Sequence, residues 1–333
     1  MMGSWGFWIP MKSWIVTIER HSFGTGVSAP MKLQVLHRPI PKCLRNEVRT
    51  VDYRTIMGMV KVCARRNHII LSDLNKAAKV NTVNLHWWKL PGMQQNVGDM
   101  LSPVVVEYLL KKNNIRYAAP ISRTCHLYAI GSIIDGGYQD AVVWGSGLLR
   151  GKDHYWWHKF RRLDIRAVRG PLTRQAMLDN GYECPEVYGD PAILMSLCYQ
   201  PEDREKKYAF RVVPHMVYGS AYPNFLSPYT ESWKNFIDGM VQSELIISSS
   251  LHGIILAEAY GIPAVLLNDH DMNLFKYKDY YFSTGRYEFP VAKSVEEALS
   301  MTPARIPDFE SIQMKLIEVF PVDLWAESMM IKG

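Results

Sequence analysis

The sequence has no apolar run approaching the roughly 18 residues that a membrane-spanning helix needs, so no such helix is expected. It has no Cys-x-x-Cys pair. Its five cysteines (Cys43, Cys63, Cys125, Cys184 and Cys198) are scattered and odd in number, which argues against a disulfide framework and a zinc site and for a reducing cytoplasm. No His/Cys/Asp cluster has metal-ligand spacing, so no metal is expected. The N-terminus lacks a basic stretch followed by a clean apolar core, so no secretory signal is read. Internal repeats and low-complexity tracts are missing as well, which speaks against repeat arrays and wholesale disorder.

What is present is a chain of 333 residues, 48% hydrophobic and 21% charged, long enough to bury a sizeable core and to form two domains. Positive charge is concentrated at the front. Residues 1–80 hold 13 Lys and Arg against 4 Asp and Glu, whereas the rest holds 25 against 28. Two readings of that segment stay open: a poorly structured leader with ordinary surface charge, and, given Trp5, Phe7, Trp8 and Trp14, peripheral contact with an anionic inner-membrane surface. Nucleic acid is not expected as a partner, because no recognised binding motif accompanies the charge.

Regular patterning begins near Thr82. Residues 83–88 read as a strand, residues 101–112 as a helix with basic residues at its end, and residues 126–130, 141–144 and 165–168 as short buried strands. A helix over 171–180 has Pro171 near its start and Gly181 as its stop. The polar segment 199–207 marks a domain boundary. Beyond it, strands are expected at 208–213, 245–248 and 264–267. Helices are expected at 230–242, 251–260 and 308–319, with a further one opened by the capping-box pattern Ser294-Val-Glu-Glu297. The resulting division is a basic, partly irregular extension (1–80), an N-terminal α/β domain on the acceptor side (81–200) and a C-terminal α/β domain on the donor side (201–333). Strands alternating with helices twice over predict two doubly wound, Rossmann-like domains with a ligand cleft at the carboxyl ends of their sheets.

The stretch Ile246 to Pro263 carries the most chemistry. An apolar strand enters Ser248-Ser249-Ser250, then His252 and Gly253, and a short helix stopped by Gly-Ile-Pro. A helix N-terminus after a strand offers unpaired N–H groups and a positive dipole end to an anion, and here it also carries an ionisable group. The bland alternative for His252 is a capping or core histidine. Arg169 follows an apolar run and precedes Gly170-Pro171. It suits bidentate anion binding, and its alternative is an interdomain ion pair; Arg166 and Arg174 read as solvated. Asp99, in Asn96-Val-Gly-Asp99, reads either as a cap of the following helix or as a base. Gly145 and Ser146 permit close backbone approach at a strand end. His215 follows a strand that faces the cleft, Asp190-Pro191 reads as a structural turn, and Asp279-Tyr280-Tyr281 as packing. Trp87, Trp88, Trp156 and Trp157 suit a sugar face or a core.

In order along the chain, Asn96-Val-Gly-Asp99, Trp144-Gly-Ser-Gly147, Val168-Arg-Gly-Pro171, Gly189-Asp-Pro191, Val213-Pro-His215, Ser249-Ser-Leu-His-Gly253 and Lys278-Asp-Tyr-Tyr281 resemble the polysaccharide pyruvyl transferase family over roughly residues 82–290. The resemblance implies a fold like that of the two-domain GT-B glycosyltransferases. It implies transfer of a pyruvyl group from phosphoenolpyruvate, with no other cofactor, to a hydroxyl pair of a sugar or lipid-linked oligosaccharide. Arg169 would then clamp the donor, Ser249, Ser250, Leu251 and His252 would contact phosphate, His252 would supply a proton and Asp99 would activate the acceptor. A common family pattern has an arginine two residues before this histidine. Ser250 stands there instead, and Arg286 is the expected replacement charge. The rival function is a GT-B glycosyltransferase using a nucleotide-sugar, which the same anion-binding turn would serve.

Overall fold

A computed structural model describes residues 84–88, 94–115, 126–135, 141–151, 162–215 and 222–326, together with the backbone of strands at 14–18 and 33–37. The chain forms two compact units, Met1–Ala64 and Arg65–Gly333. In the first, β1 (Trp14–Ile18) and β2 (Leu33–His37) pair antiparallel, with Trp14 opposite His37 and Ile18 opposite Leu33. A basic, partly irregular extension was expected over residues 1–80. Each strand is five residues long. The helical potential at residues 55–80 lies outside the described residues.

The second unit opens with β3 (Asn84–His86) and β4 (Gln95–Asn96), then α1 (Val97–Lys112). Strands β5 (His126–Tyr128), β6 (Ala141–Trp144) and β7 (Leu163–Ala167) follow, then α2 (Pro171–Asp179). A 3₁₀ turn (Pro191–Leu194) runs into α3 (Met195–Cys198). Next come β8 (Arg211–Val213), β9 (Tyr229–Thr230), α4 (Trp233–Val241), β10 (Ile246–Ser248), α5 (Leu251–Ala259) and β11 (Ala264–Leu267). The chain continues through α6 (Phe275–Ser283), β12 (Val291–Ala292), α7 (Val295–Ser300), α8 (Glu310–Glu318) and α9 (Asp323–Ala326).

Two four-stranded parallel sheets result, ordered β3-β5-β6-β7 and β12-β11-β10-β8. The parallel α/β class is as expected. Each order advances in one direction, so the described strands lack the reversal of a doubly wound sheet. The reason the strands read as near-continuous apolar runs is that both faces are covered. In β6, Val142 and Trp144 face a central core while Ala141 and Val143 face an outer cluster; in β10, Ile246 faces the centre and Ile247 the outside. The central core joins both halves through α1 (Leu101, Val105, Leu109), α4 (Phe236, Ile237, Met240) and α5 (Ile254, Ile255, Leu256). A short antiparallel pairing of β4 with β9 adds a backbone link between the halves.

The segment after residue 308 returns to the first sheet. The Trp144 indole N–H donates to the Leu316 carbonyl (2.8 Å), and the ring meets Phe320 edge-on. Gln313 donates to the Ile193 carbonyl (2.8 Å), and Arg166 pairs with Asp323 (2.9 Å). No helix among the described residues is long and apolar enough to cross a membrane.

Gly189 is where α8 seats on the turn after β7. Its φ is +144°, and a Cβ there would lie 2.8 Å from Ile312 Cγ2 and 2.9 Å from Leu316 Cδ1. Gly189→Ala is therefore expected to destabilise the fold by about 2 kcal/mol or more, through backbone strain and overpacking together. Urea denaturation followed by tryptophan fluorescence measures it.

Candidate active site

Strand β10 delivers the serine turn. The Ser248 hydroxyl donates to the Val213 carbonyl (2.7 Å) and accepts from the Ser250 N–H (3.0 Å). Ser249 Oγ accepts from the His215 N–H (2.6 Å), and the Tyr277 hydroxyl donates to the Ser249 carbonyl (2.6 Å). The first two serines thus latch the ends of β8 and β10 together and tie them to α6. Ser250 stands at the N-cap of α5 in an extended conformation, and its side chain makes no capping bond. The first-turn N–H groups of α5 are left without a side-chain acceptor, and the positive end of the helix dipole is uncompensated.

Helix α1 points its own N-terminus at the same place. Asn96 is its cap, with Oδ1 accepting from the Gly98 N–H (3.0 Å). The helix starts at Val97, four residues before the expected Leu101. Asp99 therefore stands in the first turn, and the capping role weighed for it belongs to Asn96. Gly98 lies flat against the imidazole of His252, with Nδ1 the nearest ring atom, and a Cβ on Gly98 would overlap the ring. Two helix N-termini thus meet through one glycine and one histidine. Burial pushes the Asp99 carboxyl up to about 6. The charges of His252 and Lys276 oppose that rise, and Asp190 adds to it.

Asp190 closes the other side of the ring. It is fully buried; its Oδ1 accepts from the Ala192 N–H (3.0 Å) and caps the 3₁₀ turn. Its Oδ2 has no hydrogen-bond partner and lies 3.8 Å from His252 Nε2, which has none either. Lys276 enters from the first turn of α6, its Nζ 4.9 Å from the centre of the Tyr277 ring. Among the described residues no acceptor or carboxylate pairs with its ammonium. Burial brings that ammonium down to about 8; the Arg169 charge adds to the fall and Asp99 opposes it. Burial, with Lys276 nearby, holds His215 down at about 4, so its imidazole is neutral at pH 7.

A carboxyl, an imidazole and an amine thus gather where strand ends from both sheets meet two helix N-termini. A sequence model of the polysaccharide pyruvyl transferase family matches residues 96–271, which brackets this cluster except for Lys276. The chain belongs to the polysaccharide pyruvyl transferase family. Among similar proteins, the succinoglycan biosynthesis protein ExoV of Rhizobium meliloti (strain 1021) is 34% identical over 134 residues, 37% of this chain and 41% of that protein. An uncharacterized protein of Acanthamoeba polyphaga mimivirus is 26% identical over 182 residues, 50% of this chain and 62% of that one. The matches therefore span less than two thirds of either relative. A functionally uncharacterized Klebsiella pneumoniae protein of solved structure aligns over 65% of this chain and 92% of its own, at 15% identity and a TM-score of 0.41.

The remaining residues expected at the transferase site fall into two groups. His252, Asp99, His215 and the backbone of Ser249, Ser250 and Leu251 come together. Arg169, Gly145, Ser146 and Arg286 are engaged elsewhere. Arg169 is fully buried, with Nε on Asp279 (3.1 Å), NH1 on Ser132 (2.6 Å) and NH2 on the Leu148 carbonyl (2.6 Å). Asp279 also accepts from the Thr173 N–H and hydroxyl (2.9 and 2.6 Å). That geometry is a buried ion pair within the second unit, and Asp279 is more than packing. A Cβ on Gly145 would overlap Pro191, and Ser146 donates to the Gly131 carbonyl (2.7 Å). Both shape the strand end by contact with protein.

Arg286 corrects an expectation. It holds Glu258 through NH1 (2.6 Å) and NH2 (2.8 Å) and stacks 4.5 Å from the Tyr281 ring centre. Glu258 is six residues beyond His252 along α5, about 9 Å along the axis, so the charge goes to the far end of the helix. Arg166 and Arg174, read as solvated, pair with Asp164 and Glu186. Trp87 packs on the core, Trp88 is 54% exposed, and Trp156 and Trp157 lie outside the described residues.

Sequence reasoning missed Lys276 and read Asp190 as a turn residue only. An isolated lysine in an ordinary amphipathic stretch carries no signal; only the tertiary fold desolvates it. Gly98→Ala should push the His252 ring out of place while leaving the core intact. The expected result is a loss of turnover of at least ~10²-fold, by the sensitivity of catalysis to misplacement, with a melting temperature lowered by only a few degrees. Parallel kinetic and thermal-melt measurements check it.

Proposed function

We propose that this protein transfers a pyruvyl group from phosphoenolpyruvate to two hydroxyls of one sugar, on a surface polysaccharide or its lipid-linked precursor, forming a cyclic ketal. Its two α/β halves would act in a GT-B-like arrangement with the cleft between them, and the donor is a substrate that needs no further cofactor. The observation that carries the reading is the meeting of α1 and α5 at Gly98 and His252. It sets a carboxyl and an imidazole beside an uncapped helix N-terminus, in a chain of this family. The Rhizobium relative, a succinoglycan biosynthesis protein, supports a polysaccharide acceptor.

The donor carries a phosphate and a carboxylate, so the pocket must supply N–H groups and positive charge. The first-turn N–H groups of α5 and the Lys276 ammonium are suited to that. In the proposed reaction His252 gives a proton to the methylene carbon of the donor, whose π-electron pair forms the new C–H bond. Asp99 takes the proton of the first hydroxyl as its oxygen attacks the adjacent carbon. The C–O bond to phosphate then breaks, and the second hydroxyl closes the ketal, returning its proton to His252. The proton held on Asp99 leaves with the phosphate. Two hydroxyl protons enter; one ends in the new methyl group and one on phosphate. A carboxyl near 6 is matched to proton transfer at neutral pH.

Purified protein given phosphoenolpyruvate and β-linked hexosides should release inorganic phosphate only when both are present. Absence of release with every acceptor, together with thermal stabilisation by nucleotide-sugars and not by phosphoenolpyruvate, would favour glycosyl transfer instead. Asp99→Asn and His252→Ala should each lower kcat by ~10²–10⁴, while Lys276→Met should act mainly by raising the KM for phosphoenolpyruvate.

The pH profile follows from the shifts. Asp99 must be ionised to act as base, so kcat/KM should rise through about 6. Lys276 must be protonated to hold the donor, so kcat/KM should fall through about 8. Asp99→Asn removes the acid limb, and Lys276→Arg moves the alkaline limb upward.

A further inference from the structure

We infer that Asp190 is the positioning residue for His252, holding its proton on Nε2 so that Nδ1 is the atom that exchanges a proton in the cleft. The inference deepens the proposed reaction by naming the nitrogen, and it stands on two contacts of the ring and on its exposure. His252 Nε2 and Asp190 Oδ2 are both buried, both without a hydrogen-bond partner, and 3.8 Å apart. Each is thus the acceptor or donor that the other lacks, and burying either alone would leave an unsatisfied polar atom. A Cβ on Gly98 would meet the ring with Nδ1 nearest, and the next residue is Asp99. The ring keeps 12% of its side-chain surface open. Nε2 is among the buried side-chain atoms and Nδ1 is not.

Asp190 is itself held rigidly. Its Oδ1 caps the turn at Ala192 (3.0 Å), which leaves Oδ2 with one direction to point. Pro191 follows it, seated on Gly145, and Gly189 before it is pinned under Ile312 and Leu316. A carboxylate fixed this way sets both the rotation and the tautomer of an imidazole. The distance is that of an ion pair and exceeds a normal hydrogen bond, so the contact tightens when the ring is charged.

Substitution by asparagine separates this role from a structural one. In Asp190→Asn the oxygen that caps Ala192 is retained, and the amide nitrogen takes the place of Oδ2. It can only donate to Nε2, which forces the proton onto Nδ1. In hydrolase triads the same exchange costs ~10⁴ in kcat for this reason.

The experiment is 15N NMR of protein labelled at histidine, recorded without substrate at a pH where the spectrum shows the ring neutral. His252→Gln assigns the resonances. The wild type should show Nε2 protonated and Nδ1 bare, and Asp190→Asn should show the reverse with the melting temperature little changed. In turnover assays the variant should lose at least ~10²-fold in kcat with KM within about threefold. A wild-type ring protonated on Nδ1 overturns the inference, and so does an unchanged tautomer in the variant. If Asp190→Asn does not fold, the wild-type spectrum alone decides. Because the spectrum needs no substrate, failure of the pyruvyl-transfer reading leaves the tautomer result intact and separately visible.

Discussion

The site depends on the contact between Gly98 and the imidazole of His252. Two helix N-termini repel each other as like partial charges, so bringing α1 and α5 together needs compensation. The long apolar packing of Leu101, Val105 and Leu109 against α4 and α5 supplies it. Local compensation comes from Asp99 and Asp190, whose carboxyls stand on either side of the histidine. The absence of a side chain at position 98 sets the approach distance. What remains is a concentration of N–H groups around one imidazole, which suits a multiply charged anion.

Charge compensation around that point is divided between elements. Arg169, the strongest cation in the neighbourhood, is neutralised by Asp279 and sealed from solvent. Such a pair contributes little net stability, because desolvation offsets attraction, but it fixes α6 against α2 in one geometry. With Arg169 engaged and Arg286 held by Glu258, Lys276 is a cation near Asp99 that no carboxylate pairs among the described residues. Burial is the main cause of the lowered lysine, and the charge of Arg169, which holds α6 in place, adds to it. Structure and reactivity are therefore coupled at α6: the ion pair that positions the helix also tunes the amine it carries.

Much of the second unit was legible in the sequence because its strands are continuous apolar runs punctuated by glycine and proline. Ala141–Trp144 and Ala264–Leu267 are read to the residue, and the Pro171 and Leu251 helix starts coincide with their signals. The α1 start was misplaced because Asp99 was weighed as the cap of the helix, whereas Asn96 is the cap and Asp99 lies in the first turn. The β1–β2 pairing left no local trace. At the site, residues inside short motifs (Asp99, His252) were found, because their backbone context announces them. Arg169 was singled out by type and position, but its surroundings depend on Asp279, 110 positions away. Lys276 and the second oxygen of Asp190 were invisible for the same reason: their chemistry is made by burial and by partners distant in sequence.

The central claim is that an anionic donor rests on the N-terminus of α5 beside Lys276 and His252. A crystal structure of the protein with phosphoenolpyruvate, or with inorganic phosphate at a concentration that saturates its inhibition of the reaction, tests it most directly. The account predicts phosphate oxygens within hydrogen-bond distance of the Leu251 and His252 N–H groups, with the Lys276 ammonium turned onto the same anion. A phosphate seated elsewhere, or a Lys276 that stays turned away from an occupied site, would contradict it.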